Sequence, residues 1–166
     1  MKRAVRLSLF GVAILLVIIQ FIPVDRMNPP VVKQSELQVP GDVMDIFRKS
    51  CFDCHSNQTN WPFYSYVAPV SWLVAHDVEE GREKFNFSEW QKLTEAKKRK
   101  LQEEIAEEIS EDEMPLWIYL IMHPQAELTE QQKQTVMNWS GKANVNLHED
   151  KEDNEDHDEE KHREEY

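Results

Sequence analysis

Cys51-Phe52-Asp53-Cys54-His55 holds the only two cysteines of the 166-residue chain, and its C-x-x-C-H spacing is the attachment signature of c-type haem. Two thiols three residues apart fall on one face of a helical turn, where each can add across a vinyl group of the porphyrin. The imidazole that follows, four residues after the first Cys, swings over the same face and can ligate the iron. Two other chemistries share part of the pattern. A structural zinc site needs two more ligands at matching spacing, and the sequence has no second Cys pair. A thioredoxin-like redox pair needs a βαβ context, which the flanks do not supply. The motif therefore points to one covalently attached haem, with Cys51 and Cys54 as the thioether positions and His55 as an iron ligand.

Upstream, Asp42 is a candidate N-cap, and Val43, Ile46, Phe47, Cys51 and Cys54 share one face of a helix predicted to run to about Ser56. Downstream, Asn57, Thr59, Asn60 and Pro62 read as loop. The Pro62 carbonyl is a candidate acceptor for the His55 Nδ1–H, which would fix the ring's tautomer; an ordinary turn proline packed among Trp61, Phe63 and Tyr64 fits the same residues. Pro69 opens a helix expected to reach Glu80, with Gly81 as its stop. Ser88-Glu89-Trp90-Gln91 has the capping-box pattern. Leu101, Ile105 and Ile109 give the helix predicted over 96–111 a thin apolar stripe. Lys97 to Lys100 precede Glu103, Glu104, Glu107 and Glu108, an order that opposes the helix dipole, so this helix needs packing to hold. Leu116 to Met122 forms a short apolar helix, and Thr129 with Gln132 caps another that ends at Gly141.

The second face of the iron has several candidates. Met114 precedes Pro115, which pushes it out of the helical region and frees its thioether for a pocket. His76 and His123 are more often satisfied core or surface histidines, and Met122 and Met137 sit in apolar stretches where methionine fills gaps. A vacant sixth position is the remaining alternative.

Lys2, Arg3 and Arg6 precede an apolar run from Leu7 to Ile22, so residues 1–24 read as a signal anchor or transmembrane helix. No small-x-small cleavage site follows it. The basic flank belongs in the cytoplasm, which puts everything after the run on the outer side. Cleavage, with release of a soluble protein, is the alternative. Residues 25–40, with Pro29, Pro30 and Pro40, read as an extended linker that holds the domain off the membrane. Residues 41–145 form the haem domain, large enough to fold alone. From His148 to Tyr166, eleven Asp/Glu face Lys151, Lys161 and Arg163, so this tail carries −8 of the net −12. The segment 146–166 is too polar to bury a core and reads as a disordered acidic tail. Its His148, His157 and His162 fit a solvated tail better than a metal site. No basic face suggests nucleic acid. Four of the five Trp lie between Trp61 and Trp117, suited to walling a flat cofactor or to a plain core.

With these residues laid out, the chain resembles the bacterial haem-binding domain family, a c-type-cytochrome-like group. The resemblance rests on Cys51-Phe52-Asp53-Cys54-His55-Ser56-Asn57, Trp61-Pro62-Phe63-Tyr64, Ala68-Pro69, His76-Asp77-Val78, Gly81-Arg82, and Met114-Pro115 with Tyr119, His123 and Ala126. It covers about residues 35–140. It implies an all-α, small cytochrome c-like helical haem domain with His55 as proximal ligand and Met114 as distal ligand by analogy with small c-type cytochromes. It also implies a bacterial cytoplasmic membrane, with the haem domain on the periplasmic side. The expected function is electron transfer with a redox partner protein at that membrane. A haem-based sensor with a weak or open sixth position is the alternative. A peroxidase-like enzyme would need an open distal site with a general acid/base, for which only His76 and His123 are on offer. An adaptor acting through the acidic tail is the fourth reading.

Overall fold

In the computed structural model, which describes residues 2–141, the apolar periodicities become seven α-helices, with no strand among the described residues. In chain order these are α1 (Lys2–Ile18), α2 (Gly41–Ser50), α3 (Phe52–His55), α4 (Val70–Lys84), α5 (Glu95–Ser110), α6 (Trp117–Met122) and α7 (Glu130–Ser140). The all-α expectation holds. The segment 146–166, with His148, His157 and His162, lies outside the described residues.

The helices divide into two compact units, and the chain crosses between them inside the C-x-x-C-H motif. One unit comprises Gln38–Cys51 with Lys92–Tyr166, the other Met1–Leu37 with Phe52–Gln91.

In the first of these, α7 packs on both α5 and α2. Val43, Ile46 and Phe47 from α2, Leu101, Ile105, Ala106 and Ile109 from α5, and Val136 from α7 are buried. The Phe47 ring meets Trp139 edge-on at 5.1 Å. Packing thus holds α5 against its unfavourable charge order, helped by a Thr94 side-chain cap on the Lys97 N–H. Thr129 and Gln132 form the expected capping box, and Gly141 closes α7 at φ +85°, a left-handed conformation that suits glycine. At the start of α2 the N-cap falls two residues before the expected Asp42. Pro40 is the N-cap residue, and the Asp42 carboxylate accepts the N–H of Val43. The helix also does not run on to Ser56. Cys51 leaves helical geometry at φ −126°, although its N–H still donates to the Phe47 carbonyl at 2.8 Å, and α3 starts anew at Phe52.

In the second unit α3 packs on α4, and α4 on a 3-10 turn at Phe63–Tyr66. No residue of α1 is buried. With the 3-10 turn Ile19–Phe21 it makes a 20-residue helix apolar enough to cross a membrane. The segment 25–40, expected as an extended linker, lies along this unit. Arg82 donates to the Met27 carbonyl (3.1 Å) and to Asn28 Oδ1 (2.7 Å), Asn28 Nδ2 donates to the Thr59 carbonyl (2.9 Å), and the N–H of buried Leu37 donates to the Phe87 carbonyl (2.8 Å). Its backbone groups find fixed partners, which a solvated spacer would leave to water. Ser88, expected to cap a helix, instead accepts the N–H of Asn57 through its hydroxyl at 3.0 Å.

Phe47 is completely buried, so Phe47→Ala is expected to destabilise the protein by about 3–5 kcal/mol, the cost of a large core cavity. Thermal denaturation followed by circular dichroism checks this.

Candidate functional site

His55 ends α3, and its environment is built by the last turn of α4 and the segment behind it. The imidazole Nδ1 lies 2.9 Å from the Gly81 carbonyl oxygen and 3.4 Å from that of Phe85. With Nδ1–H donated to a carbonyl, the lone pair is on Nε2, the tautomer that a metal needs. The ring stacks on Phe85 at 4.1 Å and 8° between planes, with Phe87 edge-on at 6.5 Å. Phe87 in turn stacks on Phe52 at 5.2 Å. Burial pushes the imidazole's pKa below its ordinary value, while the two carbonyls pull the other way. A buried, neutral, oriented imidazole is the form in which histidine ligates iron.

The expected acceptor was Pro62. That carbonyl is occupied by Ser65, whose N–H (3.0 Å) and hydroxyl (2.7 Å) both donate to it within the 3-10 turn. Gly81 takes the role instead. It does not stop α4, which runs on to Lys84 with Phe85 as C-cap residue. It is glycine because two backbones meet there: a Cβ on Gly81 would stand 2.8 Å from the Cys54 carbonyl oxygen and 3.1 Å from its Cβ. The neighbouring Arg82 fixes the loop after the motif. Its Nε donates to the Ser56 carbonyl (2.8 Å) and a terminal nitrogen to Thr59 Oγ1 (2.8 Å), while Thr59 returns its hydroxyl to the Asp53 carbonyl (2.7 Å).

Neither cysteine is in a disulfide, and both are half-buried. Burial, reinforced by Asp53 and Asp77, pushes the Cys54 thiol up to about 12, with Arg82 opposing. A thiol so hard to ionise is a poor nucleophile for disulfide exchange, where reactive cysteines have depressed values.

The other candidates are spread over both units. Met114 lies outside any helix, half-buried, its N–H donating to the Glu108 carbonyl at 3.1 Å. His76 is exposed on α4, with Nε2 3.7 Å from a Glu80 carboxylate oxygen. His123 stacks on Tyr119 at 4.3 Å. Met122 is exposed and Met137 half-buried.

Three features fit a haem. The oriented His55 offers Nε2. The indole Nε1 of Trp61 is the one buried side-chain nitrogen or oxygen without a hydrogen-bond partner among the described residues. A buried donor of this kind calls for an acceptor, and a porphyrin carboxylate supplies one. The unit that carries His55 also leaves Val70 and Leu73 open, surface that a flat apolar cofactor would cover. Of the tryptophans, Trp90 is core and Trp139 packs on Phe47, so only part of the set is free for a cofactor.

The site and fold are those of a haem-binding helical domain. Residues 14–142 match the family described as haem-binding domain, and the chain belongs to that family. Searches of curated proteins and of solved structures find no match.

Gly81→Ala separates local propensity from packing. In a helix interior the change alone favours folding by about 1 kcal/mol; the collision with the Cys54 backbone costs about 1–3 kcal/mol or more. A net loss of stability in chemical denaturation is expected, with a changed haem absorption spectrum because His55 loses its aim.

Proposed function

We propose that this haem-binding domain is a membrane-tethered monohaem c-type cytochrome-like protein that transfers electrons. The haem would be held by thioether bonds from Cys51 and Cys54, with His55 as proximal and Met114 as distal iron ligand. The observation that carries the reading is His55 itself. It closes a C-x-x-C-H motif, is buried against Phe85, and is held by Gly81 with Nε2 free to coordinate.

The bound haem supplies a one-electron iron couple. The chain's part is to fix the ligands and keep their environment constant between the two oxidation states. The carbonyls of Gly81 and Phe85 hold the ring of His55, and Arg82 ties down the loop that follows it. A thioether opposite the imidazole raises the potential relative to a second nitrogen ligand. Met114 is favoured over His76 because it sits half-buried in a non-helical segment before Pro115, whereas His76 is exposed beside Glu80. The apolar helix over Lys2–Phe21 would anchor the protein, with Lys2, Arg3 and Arg6 on the cytoplasmic side and the haem domain on the periplasmic side. A redox partner on the same membrane is then within reach.

Optical spectra of the purified holoprotein test the ligation. A ferric sulfur-to-iron charge-transfer band, with a ferrous spectrum unchanged by carbon monoxide, is expected. Met114→Ala should abolish the band and admit carbon monoxide. A high-spin wild-type spectrum that binds carbon monoxide readily contradicts electron transfer and supports a sensor with an open sixth position. Loss of the band in His76→Ala, with Met114→Ala unchanged, contradicts the ligand assignment.

A further inference from the structure

We propose that the turn Phe63-Tyr64-Ser65-Tyr66-Val67 is a membrane-contacting edge, seated in the outer headgroup boundary of the bilayer that α1 crosses. The inference rests on the tethered reading above and adds to it where the domain meets lipid.

Depth is set by hydrogen bonds. Gln20 lies at the outer end of the apolar helix, and its side-chain amide is fully engaged. Nε2 donates to the Leu16 carbonyl (2.8 Å) and to the Ala68 carbonyl (3.1 Å), and Oε1 accepts the Ala68 N–H (2.9 Å). An amide near hydrocarbon is tolerable only when its donors and acceptor are met by protein, and Ala68 meets them. Ala68 is therefore held at the depth of Gln20. From Leu7 to Phe21 the helix rises about 24 Å, short of the roughly 30 Å hydrocarbon core of a typical bilayer. A short span draws its flanking residues toward the membrane, and the residue bonded to its outer end is drawn with them.

The side chains beside Ala68 suit that depth. Phe63, Tyr66 and Val67 are 76%, 59% and 52% exposed, and Phe21 and Ile22 at the helix exit are also open. Arg26 donates to the Ser65 carbonyl at 3.1 Å and lies 4.5 Å over the Tyr66 ring. An aromatic pair with an arginine at one end of a span is the composition of an interfacial belt. Because 25–40 lies along the unit instead of extending from it, nothing in the chain's path lifts this edge away from the bilayer.

Nitroxide labelling of the full-length holoprotein in lipid nanodiscs tests this. With Cys51 and Cys54 consumed by haem, the parent chain should take up no label; uptake by the parent defeats the covalent reading, independently of membrane contact. Single cysteines are introduced in place of Leu15, Phe63, Val67 and Glu83, and collision with oxygen is compared with collision by a water-soluble nickel chelate. The oxygen-to-nickel ratio is expected to be highest at 15, severalfold above Glu83 at 63 and 67, and aqueous at 83. Gln20→Ala should bring 63 and 67 down to the level of 83 without changing 15. An aqueous ratio at 15 overturns the tether and this proposal together. A buried 15 with aqueous 63 and 67 overturns this proposal alone, and a depth at 63 and 67 that survives Gln20→Ala overturns the clamp.

Discussion

The contact between the Gly81 backbone and Cys54 is the constraint on which the proximal side of the site depends. It lets α4 lie against α3 so closely that no Cβ fits between them. That closeness brings the Gly81 carbonyl to His55 Nδ1 at 2.9 Å and, one turn on, places Phe85 flat against the imidazole. The same carbonyl accepts the N–H of Phe85 at 3.2 Å, so one oxygen ends the helix and orients the imidazole. Arg82, adjacent in sequence, extends the effect to Ser56, Thr59, Met27 and Asn28. Burial lowers the pKa of Arg82 and the charge of Asp25 opposes the shift; a guanidinium stays protonated under any physiological condition, so its hydrogen bonds persist across pH. The motif supplies His55, and Gly81-Arg82 gives its ring a direction.

The same unit carries the apolar helix, and its attachments run the length of the connecting segment. Gln20 is bonded to Ala68, Arg26 to Ser65, Asn28 to Thr59 and Leu37 to Phe87. A chain tied at so many points loses the reach of a flexible tether. If the proposed tether and electron transfer hold, this would exchange a wide search for a fixed presentation.

What could be read from the sequence follows from the range of the forces involved. Helix periodicities, the Thr129 capping box, the Gly141 cap and the apolar N-terminal run are local patterns, and the structure contains them where the spacing puts them. Most of the departures are tertiary. Gly81 was expected to stop a helix because a glycine near the end of an apolar repeat commonly does; an isolated glycine inside a helical pattern equally marks a close approach, and only the position of α3 decides between the two. The Pro62 carbonyl is a candidate acceptor for His55 in the sequence, yet Ser65, three residues on, takes it. Ser88 carried a capping pattern and serves Asn57 instead. Phe85 gave no signal at all, since a single aromatic after a helix has no pattern to betray a stacking partner some 30 residues upstream. The prolines of the linker exclude helix without saying what the extended chain lies against.

The attachment of the cofactor is the claim on which ligation, potential and topology all rest. Intact-mass measurement of the purified protein under denaturing conditions, followed by sequencing of the peptide that contains residues 51–55, tests it most directly. The account predicts one haem surviving denaturation on every chain, with both Cys51 and Cys54 modified. An apoprotein mass, with haem extracted freely by acidified solvent and both thiols unmodified, would contradict it.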